Sequence, residues 1–190
     1  MSSAASSLKR AEARAPLASL TFRNRQRDRR LNLPFLRRIL RHVLTEQLCV
    51  PAAELCFHFV SAEEMARVNW QFLQHEGSTD VITFDYVADD VRRRNSSQPD
   101  PVRLLTSAAT PLNGEAFICV ADAVKQAREF GTSWQSEVIR YAVHALLHLC
   151  GYDDLQPAKR RVMKCEENRL MRELAQAFDL DQLQTPNSKP

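Results

Sequence analysis

His144 and His148 stand four residues apart in the run from Tyr141 to Asp154, Tyr-Ala-Val-His-Ala-Leu-Leu-His-Leu-Cys-Gly-Tyr-Asp-Asp. On a helix, residues at i and i+4 lie one above the other on the same face, so both imidazoles can reach one cation. Gly151 follows the last apolar position, where a left-handed residue ends a helix and turns the chain back. Asp153 or Asp154 then supplies an oxygen. Imidazole nitrogens with a carboxylate oxygen form a donor set for zinc or another divalent metal. The competing use of the pair is structural. Val143, Leu146, Leu147 and Leu149 make this helix mostly apolar, and a neutral imidazole fits a core when its nitrogens find hydrogen bonds. Two of the five histidines of the chain at this spacing, with acids just past a helix-ending glycine, favour the metal.

The elements that must hold this run are legible from periodicity. Residues 1–18 show neither a strand nor a helix period and read as a disordered tail. Ser19 to Arg23 reads as a first strand. Leu33, Leu36, Ile39, Leu40, Val43 and Leu44 fall on one face of a helix opened by Asn32 and Pro34. Leu55, Phe57 and Phe59 alternate with Cys56 and His58 as in a strand, which makes His58 a strand residue rather than a ligand. Ser61 and Glu64 form a capping box for a helix running to about Leu73, and Val81 to Tyr86 is a β-branched and aromatic strand. The interval 88–113 carries Pro99, Pro101, Pro111 and Arg92 to Arg94, and reads as a long mobile loop.

Ala116 to Val120 is an apolar strand, Asp122 to Phe130 a helix ended by Gly131, and the His-bearing helix starts near Ser133. A last helix runs from Pro157 to Phe178, and 179–190 reads as a C-terminal tail. The alternation gives a single α/β (α+β) domain over 19–178. A small mixed sheet packs with about five helices, and the metal site sits at the end of the His-bearing helix.

With 190 residues and 44% hydrophobic composition the chain suits one core. No apolar segment has the length to cross a bilayer or the pattern of a signal peptide, so a soluble, cytoplasmic protein is expected. Cys49, Cys56, Cys119, Cys150 and Cys165 form no Cys-x-x-Cys pair, which argues against a zinc ribbon or a disulfide framework and for mostly small buried hydrophobes. The net charge is only +3, yet Arg23, Arg25, Arg27, Arg29, Arg30, Arg37, Arg38 and Arg41 crowd one stretch in which Asp28 is the only acid. Guanidinium forks suit phosphate, so nucleic acid is a fitting partner there, and a solvated basic helix face accounts for the stretch equally well.

At these motifs the chain resembles the YbeY family of single-domain, metal-dependent endoribonucleases involved in ribosomal RNA maturation. The family signature His-Gly-x-Leu-His-Leu-x-Gly-Tyr-Asp-His is similar to His144-Ala145-Leu146-Leu147-His148-Leu149-Cys150-Gly151-Tyr152-Asp153-Asp154. Its Leu-Asn followed by Thr-Asp-Val-Leu-Ser-Phe is similar to Val68-Asn69 and Thr79-Asp80-Val81-Ile82-Thr83-Phe84. Its Gly-(Asp/Glu)-Ile strand is similar to Gly114-Glu115-Ala116. The resemblance implies one divalent ion held by His144, His148 and Asp154, with Asp154 at the place of the third ligand histidine. Zinc is the first expectation for that ion, and Mn²⁺ or another hard divalent ion gains ground because Asp154 adds negative charge. The implied partners are ribosomal RNA and the ribosomal subunit, with no membrane, and the implied roles are rRNA processing and ribosome quality control.

Two further departures are Ala145 for the first motif glycine and Leu73 for an arginine on the helix before the Thr-Asp strand. Leucine cannot steady a phosphate, which leaves Arg67, His75 or the arginines at 92–94 as the cations that could approach one. A bound metal would lower the pKa of water and act as a Lewis acid, and spacing assigns no catalytic residue beyond that water. Glu115 and Asp80 read as structural carboxylates beside strand starts, accepting backbone N–H bonds. A zinc protease needs glutamate directly after the first histidine, and Ala145 stands there. The alternative is a non-catalytic metal-binding protein that binds RNA on the ribosome.

Overall fold

The computed structural model describes residues 18–50, 52–86 and 111–185. Residues 1–17 of the expected tail, residues 88–110 of the expected 88–113 loop with Arg92 to Arg94, and residues 186–190 lie outside the described residues. Four strands form one sheet in the order β1-β2-β4-β3. They are β1 (Ser19–Asn24), β2 (Ala53–Val60), β3 (Val81–Asp85) and β4 (Leu112–Cys119). β1 runs parallel to β2 and β2 parallel to β4, whereas β3 is antiparallel to β4, so the sheet is mixed. Five α-helices pack with it: α1 (Leu33–His42), α2 (Ala62–Leu73), α3 (Val120–Phe130), α4 (Trp134–Leu149) and α5 (Pro157–Ala177). This is the single α/β domain that the alternating pattern predicts.

The alternation along β2 divides the two faces of the sheet. Leu55, Phe57 and Phe59 enter the main core with Ala116 and Ile118 of β4, and α1, α4 and α5 close over them. On the opposite face, Val60, Cys119 and Ile82 pack with Met65 of α2 in a smaller cluster that Phe84 and Phe117 flank. α1 opens as its sequence dictates: the Asn32 side chain accepts from Phe35 N at 3.1 Å, and Pro34 occupies the first turn, where its missing N–H costs nothing. α2 opens on Ser61, whose Oγ accepts from Glu64 N at 3.3 Å.

Three boundaries differ from the sequence reading. Ala18, placed in the tail, is buried against the core. Leu112 and Asn113, placed in the loop, already pair with Ala53 and Glu54 as the start of β4. The C-terminal tail does not begin at 179. A 3-10 turn over Leu180–Leu183 buries Leu183 completely, Asn32 N donates to Leu183 O at 2.7 Å, and Gln184 bridges Leu31. One buried leucine at the end of a polar segment is too small a signal for periodicity to detect. The cysteine reading is corrected in part as well: Cys119 and Cys150 are buried, while Cys49 and Cys165 are exposed and Cys56 lies between.

Gly114 sets how closely α4 approaches the sheet. A Cβ there would collide with the backbone carbonyl of Phe84 and stand 2.7 Å from Leu149 Cδ2. Gly114→Ala is therefore expected to destabilise the fold by about 1–3 kcal/mol as an overpacking change. An unchanged denaturant midpoint would refute this close approach.

Candidate metal centre

α4 reaches the site because it is anchored at both ends. Ser133 Oγ accepts from Ser136 N at 3.2 Å at its start. Its interior is sealed by Val138, Ile139, Ala142, Val143, Ala145, Leu146 and Leu147, all without exposed surface. At its end Gly151 takes φ +94, a conformation side chains rarely adopt. Gly151 N donates to His148 O at 2.9 Å and Tyr152 N to Leu147 O at 3.0 Å. That turn brings the next residues back over the last turn of the helix.

The two aspartates then part company. Asp153 accepts from Leu155 N at 2.9 Å and from Lys159 Nζ at 3.1 Å, and these bonds lower its pKa. Asp153 thus fastens the loop to α5. Asp154 faces the histidines, with Oδ2 3.8 Å from His144 Nε2 and Oδ1 3.8 Å from His148 Nε2. The two Nε2 atoms are 3.1 Å apart. Donors around a tetrahedral zinc ion stand about 3.3 Å from one another at ordinary zinc to nitrogen lengths. The spacings found here bracket that value.

The hydrogen bonds behind the ring decide what those nitrogens present. His144 Nδ1 lies 2.9 Å from Glu167 Oε2, and His148 Nδ1 lies 3.1 Å from the Tyr152 carbonyl. A carbonyl oxygen only accepts, and so does an ionised carboxylate, so each Nδ1 carries a proton. With both rings neutral, the two Nε2 atoms present lone pairs to each other across 3.1 Å. That arrangement is repulsive unless a proton or a cation lies between them. Burial first, and then the neighbouring His144, push the His148 pKa down, which disfavours a proton on His148. The donor set therefore fits a metal ion. A carboxylate or carbonyl behind each ligating imidazole is also the usual support of a metal-bound histidine, fixing tautomer and ring plane.

Glu167 is the residue that sequence reasoning missed. It lies in the middle of α5 with only 3% of its surface exposed. Burial alone would raise its pKa, but hydrogen bonds from His144, Lys164 and Arg140 outweigh burial and bring it down to about 2. Arg140 Nη1 donates at 2.8 Å and Lys164 Nζ at 2.8 Å. The available signal was its place in the pattern Met163, Glu167, Leu170, Leu174, where an acid interrupts the buried stripe of a helix.

Other sequence readings fare unevenly. Asp80 accepts from Val81 N at 2.9 Å, as a strand-start carboxylate should. Glu115 instead contacts His58 Nε2 at 3.0 Å. Arg67 pairs with Glu63 at 2.9 Å on the exposed face of α2, and His75 is exposed. Among the described residues, no hydrogen bond or ion pair ties either to the His144 group. Leu73 is half exposed at the end of α2. Several arginines of the basic stretch are engaged within the fold: Arg37 lies 5.0 Å from the Phe22 ring, Arg38 covers Phe35 and Phe178, and Arg25 pairs with Glu64.

A one-domain mixed sheet carrying a His-His-Asp cluster at a helix end defines the class. Residues 21–175 match the family model described as Endoribonuclease YbeY, and the chain belongs to that family. The Endoribonuclease YbeY of Bacteroides thetaiotaomicron is 33% identical over 118 residues, covering 62% of this chain and 72% of that one. That of Kineococcus radiotolerans is 33% identical over 133 residues, 70% of this chain and 71% of the relative, and that of Salinibacter ruber 29% over 144 residues, 76% and 84%. In fold the chain is similar to the solution structure of TM1509 from Thermotoga maritima. The TM-score is 0.55 at 18% identity, over 90% of this chain and 99% of the other. Among the described residues no helix is long and apolar enough to cross a membrane.

Proposed function

We propose that this protein is a metal-dependent endoribonuclease that cuts single-stranded segments of ribosomal RNA during maturation and quality control of the ribosomal subunit in the cytoplasm. One divalent ion, zinc first and Mn²⁺ next, is held by His144, His148 and Asp154. The observation that carries the reading is the pair of Nε2 atoms turned toward each other at 3.1 Å, with Asp154 closing the third side. When bound, the ion supplies a Lewis acid for the scissile phosphate and lowers the pKa of the hydrolytic water. The chain supplies the rest of the arrangement. Glu167 keeps the His144 proton on Nδ1 and the Tyr152 carbonyl keeps that of His148 on its Nδ1, so neither ring can turn its lone pair away. Asp154 adds a full negative charge, which softens the pull of the ion on the water and favours harder metals than three imidazoles would.

The non-catalytic reading, a metal-binding protein that holds RNA on the ribosome without cutting it, is favoured by one specific feature. Leu73 stands where the resemblance places a phosphate-binding arginine, and Arg67 is occupied by Glu63. Purified protein incubated with single-stranded ribosomal RNA fragments separates the two. Cleavage that appears with a divalent ion and stops with chelator supports the nuclease. RNA left intact by metal-loaded protein across several divalent ions overturns it in favour of the binding role.

A further inference from the structure

The sheet face turned away from α4 carries a second group of donors. Cys56 and His58 stand two residues apart on β2, hence on the same face, and Glu115 of β4 is the register partner of Cys56. His58 Nε2 lies 3.0 Å from Glu115 Oε2, and one donor atom from each of the three residues falls within 4.8 Å of the others. The His58 ring stacks on Phe117, its register partner, with centroids 4.3 Å apart and planes 6° from parallel, which fixes its orientation. Its side chain is 4% exposed, and Nδ1 has no hydrogen-bond partner among the described residues. Tyr86 brings its phenol onto the Glu115 carboxylate.

A simple histidine to glutamate hydrogen bond between neighbouring strands explains only part of this. It leaves a buried ring nitrogen unpaired, which costs about 1–3 kcal/mol. It also gives no reason for a partly exposed thiol beside the pair on a solvent-facing strand position. Coordination gives the Cys56 thiol a role beside the pair that the hydrogen bond does not. Thiolate, imidazole and carboxylate together form a sulfur, nitrogen and oxygen donor set whose two negative charges balance a divalent cation. Glu115 keeps 30% of its side-chain surface open, so a cation has a route from solvent.

The geometry points to a second metal site formed by Cys56, His58 and Glu115, which takes zinc or another thiophilic divalent cation and ties β2 to β4 independently of the His144 cluster. Without metal, burial and the charge of Glu115 push the Cys56 thiol pKa up, partly offset by Arg23 and Arg25, while burial keeps His58 neutral. Binding therefore releases one proton: the Cys56 S–H bond breaks, its proton passes to solvent, and the sulfur lone pair forms the bond to the cation. The Nε2–H that His58 donates to Glu115 moves to Nδ1, which frees the Nε2 lone pair for the cation, so neither His58 nor Glu115 loses a proton overall.

Cobalt(II) is the probe, because a thiolate ligand gives it a near-ultraviolet charge-transfer band that imidazole and carboxylate ligands do not. The full chain is titrated under reducing conditions, with circular dichroism confirming the fold of each variant. Wild-type protein should bind two equivalents and show the band. Cys56→Ser should lose the band and one equivalent, and Glu115→Gln, which keeps the side-chain shape, should weaken the thiolate site alone by about 10-fold or more. His148→Ala should lose one equivalent and keep the band, so the second site is read separately from the first. A wild-type chain that binds one equivalent with the band retains this inference and sinks the metal centre at His144. Absence of the band in wild type, or a band that survives Cys56→Ser, overturns the second site.

Discussion

His148→Ala should cut RNA cleavage by about 10³-fold or more while leaving the fold intact. The side chain keeps 25% of its surface exposed at the last turn of α4, and its Nδ1 bonds to the Tyr152 carbonyl. Losing that bond costs about 1 kcal/mol. Losing the ligand removes one of three donors and, with it, the cation. The charge stabilisation supplied by a catalytic metal is worth several kcal/mol, and about 4 kcal/mol corresponds to about 10³-fold in rate. Asp154→Asn should behave in the same direction, since the amide keeps the shape of the carboxylate and loses its charge. Asp153→Asn is the control, because Asp153 is committed to Leu155 N and Lys159. Its activity should stay within about threefold of wild type. Single-turnover rates on a labelled single-stranded RNA, with thermal melts alongside, decide the matter. A His148→Ala enzyme within about tenfold of wild type would remove His148 from the ligand set.

What the sequence made legible was what neighbours in the chain determine. The i, i+4 spacing put His144 and His148 on one face, and Gly151 announced the reversal that the positive φ confirms. The two faces of β2 followed from alternation alone. Asp153 and Asp154 could not be separated by spacing, since both follow the glycine within reach, and what separates them is a contact with Lys159 one turn into α5. Glu167 was invisible for the same reason on a larger scale. It stands 23 residues from His144, and only the packing of α5 on α4 brings the two together. His58 was assigned to its strand and Glu115 only to a place beside the next one, and the register between β2 and β4, which joins residues 57 positions apart, is a property of the folded sheet. Local rules named the atoms at the front of the site, and long-range packing supplied the groups behind them.

Glu167→Gln should weaken metal binding by about 10- to 100-fold without removing a single ligand, the size expected when the partner of a ligating histidine is changed. Glutamine still offers His144 Nδ1 an acceptor oxygen, so the ring keeps its tautomer. What disappears is the negative charge that makes the imidazole a stronger donor and that neutralises Arg140 and Lys164. The same charge links the site to stability. A carboxyl held at a pKa of about 2, against 4.5 for a free glutamate side chain, is depressed in the folded state. Its contribution is therefore complete above the unfolded value, fades as pH falls toward about 2, and amounts to about 3 kcal/mol. Wild-type protein should thus lose more stability between pH 6 and pH 3 than Glu167→Gln does, in metal-free buffer. Two denaturation series measure this directly. Parallel pH profiles would show that the carboxyl titrates normally, and undiminished metal affinity in the variant would show that His144 needs only an acceptor behind it, not a charge.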